Sequence, residues 1–126
     1  MKRLILVIST VLFATTALAQ EPPKFLKDTY PEYALKSALD AENILQGKDA
    51  QLDAKTRDLI ALAVSAQIPC TYCVYAHLKG ARANGASESE IREAVATAAN
   101  VRHWSTVLNG MGYDFEAFKK EYDGSE

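Results

Sequence analysis

The sequence predicts an all-α domain, and three observations carry that expectation. Apolar residues recur at helical spacing in one segment after another, and no stretch alternates apolar with polar long enough for a half-buried strand. Cap-type residues stand before several of these runs, and Gly or Pro stands behind most of them. Composition agrees: 48% of the 126 residues are hydrophobic and 24% charged, too apolar for a disordered chain and ordinary for one folded domain. The length leaves no room for a second domain of normal size. A net charge of -2 and a pI of 5.7 give no electrostatic case for a polyanion, so nucleic acid is not an expected partner.

Taken in order, the chain opens on Met1-Lys2-Arg3, two positive charges ahead of an apolar run from Leu4 to Ala14. The run is followed by Ala17-Leu18-Ala19, small residues at the two positions a signal peptidase inspects. The apolar part is shorter than the roughly 20 residues a spanning helix needs. Residues 1–19 therefore read as a signal peptide and residues 20–126 as the mature domain, exported most simply to a bacterial periplasm and free of the membrane after cleavage. That compartment is oxidising, so paired cysteines there tend towards the disulfide.

Five or six short helices follow an extended Glu21-Pro22-Pro23-Lys24 leader. Thr29-Tyr30-Pro31-Glu32 reads as a capping box for a helix with Leu35, Ala38, Leu39 and Leu45 on one stripe, stopped at Gly47. Asp53 caps a second helix, apolar nearly all round from Leu59 to Ala66 and so expected to be central and buried; Pro69 ends it. A third helix is expected from about Cys70 to Asn84, with Gly85 just past its end. Ser87-Glu88-Ser89-Glu90 is a capping box leading into Ile91, Ala94, Val95, Ala98 and Val101. The register then fails between Asn100 and Trp104, which predicts a break and a new helix to about Asn109. Asp114 caps a last short helix with Phe115, Phe118 and Tyr122 on one side, for packing or a subunit contact, and Lys119-Lys120 as a solvated face.

Chemistry concentrates in Cys70-Thr71-Tyr72-Cys73-Val74-Tyr75-Ala76-His77. On a helix Cys70 and Cys73 are three apart and Cys73 and His77 four apart, so all three share a face. That spacing permits a disulfide between the cysteines. The helix start favours a thiolate over a thiol, and His77 adds a base or cation one turn on. This is the arrangement a redox-active dithiol needs. A purely structural disulfide would stabilise little, because the loop it closes is so short. Zinc held by Cys70, Cys73 and His77 is a second reading, with His103 or Asp58 as the fourth ligand. Haem attachment is excluded, since Val74 stands where the histidine would have to follow Cys73. A thioredoxin-like fold would need a strand where residues 54–68 read as helix. Asp58, sharing a face with Leu62 and Ser65, either orients His77 or pairs with Lys55. Tyr72, Tyr75 and Trp104 line a pocket over the thiols or serve as core or interface; His103 is either a supporting group or part of a solvated helix end.

In combination, the stretch from Asp53 to Ala66, the Cys-x-x-Cys-x-x-x-His element and the Gly85-Ala86-Ser87-Glu88-Ser89-Glu90-Ile91 turn resemble the alkylhydroperoxidase D-like, carboxymuconolactone decarboxylase family over about residues 52 to 108. The resemblance implies an all-helical homotrimer or homohexamer acting as a thiol peroxidase or disulfide reductase. Cys73 would then be the peroxide-attacking thiolate, Cys70 the resolving cysteine, and His77 part of the proton relay. Asp58 falls where the best-known members carry a relay Glu, one methylene longer, and Tyr72 where some carry a further histidine. No cofactor or metal is implied. The partners would be a small hydroperoxide and, for an exported protein, some exported dithiol protein as electron donor. The decarboxylase branch typically lacks the cysteine pair, which argues against lactone decarboxylation. Two alternatives accompany this reading: a thiol–disulfide oxidoreductase acting on other proteins, and a zinc-binding or structural helical oligomer.

Overall fold

A computed structural model describes residues 21–124, and the signal-peptide expectation for residues 1–19 lies outside them. Six helices and no strand are found among the described residues: α1 (Lys24–Thr29), α2 (Glu32–Gln46), α3 (Ala54–Gln67), α4 (Thr71–Ala83), α5 (Glu88–Gly110) and α6 (Phe115–Tyr122). None is long and apolar enough to cross a membrane. The described residues divide into two units, with the boundary between Ala41 and Glu42.

In the first unit Thr29 does not cap α2. It is the last residue of α1, and its hydroxyl donates back to the Phe25 carbonyl at 2.7 Å. A Ser or Thr bonded in that way belongs to the helix behind it and cannot serve the one ahead. In the first turn of α2 the N–H groups of Ala34 and Leu35 bond instead to the Pro31 carbonyl. Leu35 is buried and Ala38 and Leu39 half-buried as the stripe requires, whereas Leu45, in the second unit, is exposed.

The second unit is organised around α3, against which α4 and α5 both pack. Asp53 accepts the Thr56 N–H and starts α3, as its sequence position predicts. Leu62, 2% exposed, packs with Ala81 of α4 and Ile91 of α5, with Leu59, Val74, Leu78 and Ala86 around them. Burying one such leucine stabilises by roughly 1.5–3 kcal/mol. Central position does not mean burial all round, however. Ile60 and Val64, on the opposite side of α3, remain 50% and 53% exposed.

The end of α4 is fixed locally. Gly85 takes φ +84°, a left-handed conformation open to glycine without a Cβ clash. The N–H of Ala86 then reaches the Ala81 carbonyl and that of Gly85 the Arg82 carbonyl. Ser87 and Glu90 form the expected reciprocal capping box at the start of α5.

The break expected between Asn100 and Trp104 is absent: α5 runs unbroken through 23 residues. No Gly or Pro interrupts it before Gly110. Its apolar periodicity fades because Val101, Trp104 and Val107 are not covered, although the backbone continues. Arg102 ties this half to the end of α3, donating to the Gln67 side chain at 2.8 Å and to its carbonyl at 3.1 Å. On α6, capped by Asp114, the rings of Phe115, Phe118 and Tyr122 stack in sequence. Lys119 is not simply solvated, since it lies over the Phe115 ring and pairs with Glu116 at 2.7 Å.

Candidate functional site

The site is built where α3 gives way to α4. Pro69 has no N–H with which to continue α3, and the Cys70 N–H turns back to the Ser65 carbonyl at 3.1 Å. Cys70 is left in an extended conformation as the N-cap of α4, its sulfur accepting the Cys73 N–H at 3.2 Å. Cys73 thus sits in the first turn, and the two cysteines form a disulfide with their Cα atoms 5.3 Å apart. Both are half-buried. When the bond is reduced, Cys73 lies in the first turn of α4, at the positive end of the helix dipole, which favours its anionic form.

His77 lies one turn beyond Cys73 on the same helix face. Its Nδ1 is 3.1 Å from Asp58 Oδ1, so the shorter acidic side chain reaches the imidazole directly. An ionised carboxylate only accepts hydrogen bonds, so Nδ1 carries the hydrogen and Nε2 is left as the basic nitrogen. The other oxygen of Asp58, Oδ2, accepts from Asn84 Nδ2 at 2.8 Å. Lys55 is directed elsewhere, to Glu90 at 2.8 Å, so the alternative Asp58–Lys55 pair is not formed.

Asp58 approaches α4 this closely because residue 80 is glycine. A Cβ on Gly80 would lie 2.7 Å from both carboxylate oxygens, far inside van der Waals contact. Neither Gly80 nor Asn84 stood out in the sequence. Asn84-Gly85 reads there only as a helix stop, although the spacing of His77, Gly80 and Asn84 along α4 would have placed all three on one face.

The remaining candidates are not gathered into this cluster. Tyr72 and Tyr75, beside the cysteines in sequence, are 89% and 70% exposed, and Trp104 is also exposed, so none of the three is a core residue of the single chain. His103 stands within the continuous α5 helix, edge-on to Trp104 at 5.2 Å between ring centroids, rather than at a helix end. Among the described residues no group of three or more His, Cys, Asp or Glu side chains is placed to hold a metal ion.

Comparison with known proteins agrees with the helical architecture. The profile of the carboxymuconolactone decarboxylase family matches residues 34–113, more than half of the chain. A Paracoccus denitrificans protein named "Uncharacterized protein 4 in cox locus" is 44% identical over 54 residues, 43% of this chain. The aligned stretch spans 49%, about half, of that relative's length. No solved structure matches. With the family match covering both cysteines, His77, Asp58 and the helices that hold them, the chain belongs to the carboxymuconolactone decarboxylase family.

Proposed function

We propose that the protein is a thiol peroxidase working through Cys73 and Cys70. The observation that carries this reading is the Cys70–Cys73 disulfide in the first turn of α4, one turn from a histidine whose Nδ1 is occupied by a carboxylate. In the reduced protein His77 Nε2 takes the Cys73 proton. The Cys73 thiolate attacks the terminal oxygen of a hydroperoxide ROOH. The O–O bond breaks, the alkoxide leaves and collects a proton as ROH, and Cys73 becomes a sulfenic acid. The Cys70 sulfur then attacks the Cys73 sulfur, hydroxide departs as water, and the disulfide forms. A dithiol donor returns two electrons and two protons by exchange through Cys70.

The cellular setting belongs to the same proposal. Residues 1–19 direct export to the periplasm, the donor is an exported dithiol protein, and the mature chain works as a homotrimer or homohexamer. The exposed apolar side of α3 suits that assembly.

The test is single-turnover peroxide consumption by the pre-reduced mature protein. Wild type is expected to consume one equivalent and form the internal disulfide, Cys73→Ser to be inert, and Cys70→Ser to stop at the sulfenic acid. A wild-type rate no faster than that of free cysteine rejects the peroxidase reading. The exposure of Tyr72 and Tyr75 beside the disulfide favours thiol–disulfide exchange with a protein partner as the second reading. Turnover of protein disulfides without peroxide turnover would select it.

A further inference from the structure

We propose that Asn84 is a positioning residue of this site, holding Asp58 against His77 in a slot that Gly80 keeps open. The proposal rests on the reading of Asp58 and His77 as a proton relay. Asp58 has two oxygens and one imidazole to serve. Left alone, its carboxyl would rotate about its terminal torsion, which is broad and only weakly confined. The 2.8 Å bond from Asn84 Nδ2 to Oδ2 removes that freedom and leaves Oδ1 facing His77 Nδ1.

Two features show that this arrangement is built. Asn84 is the C-cap of α4, and the left-handed Gly85 after it ends the helix there, presenting the amide at a fixed place. Gly80, one turn back on the same helix, leaves free the volume the carboxylate occupies. The charged neighbour in this cleft is Arg57, whose guanidinium donates to the Leu52 carbonyl. The site therefore has a neutral amide, not a cation, on the far oxygen of its carboxylate. A neutral donor orients Asp58 while leaving its negative charge available to the imidazole.

The consequence is a defined tautomer. With Asp58 held, neutral His77 carries its hydrogen on Nδ1, whereas an unconstrained imidazole prefers it on Nε2. The experiment is long-range ¹H–¹⁵N NMR of the reduced mature protein at about pH 8, where an ordinary histidine is neutral. The chain has only two histidines, so removing His103 assigns the His77 signals. Wild type is expected to show the Nδ1–H pattern. Asn84→Ala and Gly80→Ala are each expected to shift His77 towards the Nε2–H pattern and to slow Cys73 alkylation at pH 7 by roughly fivefold.

Gly80→Ala keeps the test sound should Asn84→Ala weaken the end of α4, because alanine favours helix over glycine. Its effect on the tautomer then cannot come from lost helix. Retention of the wild-type Nδ1–H pattern in both variants overturns the proposal. A tautomer shift in both, with wild type inert towards peroxide, upholds the positioning role and rejects the peroxidase reading instead.

Discussion

Helix α3 has two sides that are finished to different degrees. On the side facing α4, Asp58 has both oxygens bonded and fits against a glycine, and Leu62 is covered by Ala81. On the side shared with the outer face of α5, Ile60, Ala63, Val64 and Ile68 meet Ala94, Ala98 and Val101 around an open apolar groove of about 500 Å³. The polar side is satisfied within one chain, whereas the apolar side leaves carbon exposed to water, a loss of roughly 25 cal/mol for each Å² that a partner would cover. One helix thus carries Asp58 of the candidate site on one face and an uncovered surface on another, and the two should be separable by mutation.

The largest effect is expected from breaking the polar side at its base. His77→Ala removes the group proposed to take the Cys73 proton, and the single-turnover peroxide rate at pH 7 should fall by about 10²-fold or more. A rate within a few-fold of wild type would mean that the helix start alone activates the thiol. Asp58→Asn is a milder change, since it keeps the size of the side chain and leaves the imidazole in place. It should cost roughly tenfold through the lost charge and the freed tautomer. If it cost as much as His77→Ala, Asp58 would be doing more than orienting the imidazole.

Val64→Asp acts on the apolar side of α3. In the proposed homotrimer or homohexamer, a charge on the apolar face should reduce the native mass to that of one chain, as measured by light scattering. The single-turnover rate of the reduced protein should stay within about twofold of wild type, as expected for distant sites that share no partner. An unchanged mass would show that this face is not where copies meet. A collapse of the thiol rate would show that the two sides of α3 are coupled after all.

The same contrast explains how much could be read in the sequence. Asp53, Ser87 and Asp114 were legible as caps because a cap acts on the N–H groups of its own first turn. The Cys73–His77 face was legible because helical spacing decides it, whereas Cys70 stands just before the helix as its N-cap. Asp58 was only half legible: its helix and face followed from local pattern, but the choice of His77 over Lys55 depends on how α3 lies against α4. Gly80 and Asn84 were illegible for the same reason, since each acts on a residue of another helix. Thr29 misled because the same Ser/Thr signal serves the end of one helix as well as the start of the next. The continuity of α5 was hidden because apolar periodicity reports covering by a neighbour, and the second half of this helix is not covered.

The smallest expected effect concerns how α5 is fastened to α3, well away from the thiols. Glu90 accepts from Lys55 of α3 and from the Ser87 backbone and hydroxyl, and these donors hold its carboxyl down at about 2, from an ordinary 4.5. A carboxyl depressed in the folded state contributes its full stabilisation above the unfolded value and loses it as pH falls through the folded one. Glu90→Gln keeps a residue suited to the third position of the capping box but removes the charge. Wild type should therefore unfold at a higher temperature than Glu90→Gln at pH 7 and pH 5. The gap should narrow below about pH 4.5 and close near pH 2. A gap as wide at pH 2.5 as at pH 7 would mean that the charge of Glu90 plays no part in joining α5 to α3. Because both oxygens of Asp58 are already bonded, to His77 and Asn84, the same substitution should leave the Cys73 alkylation profile where it was.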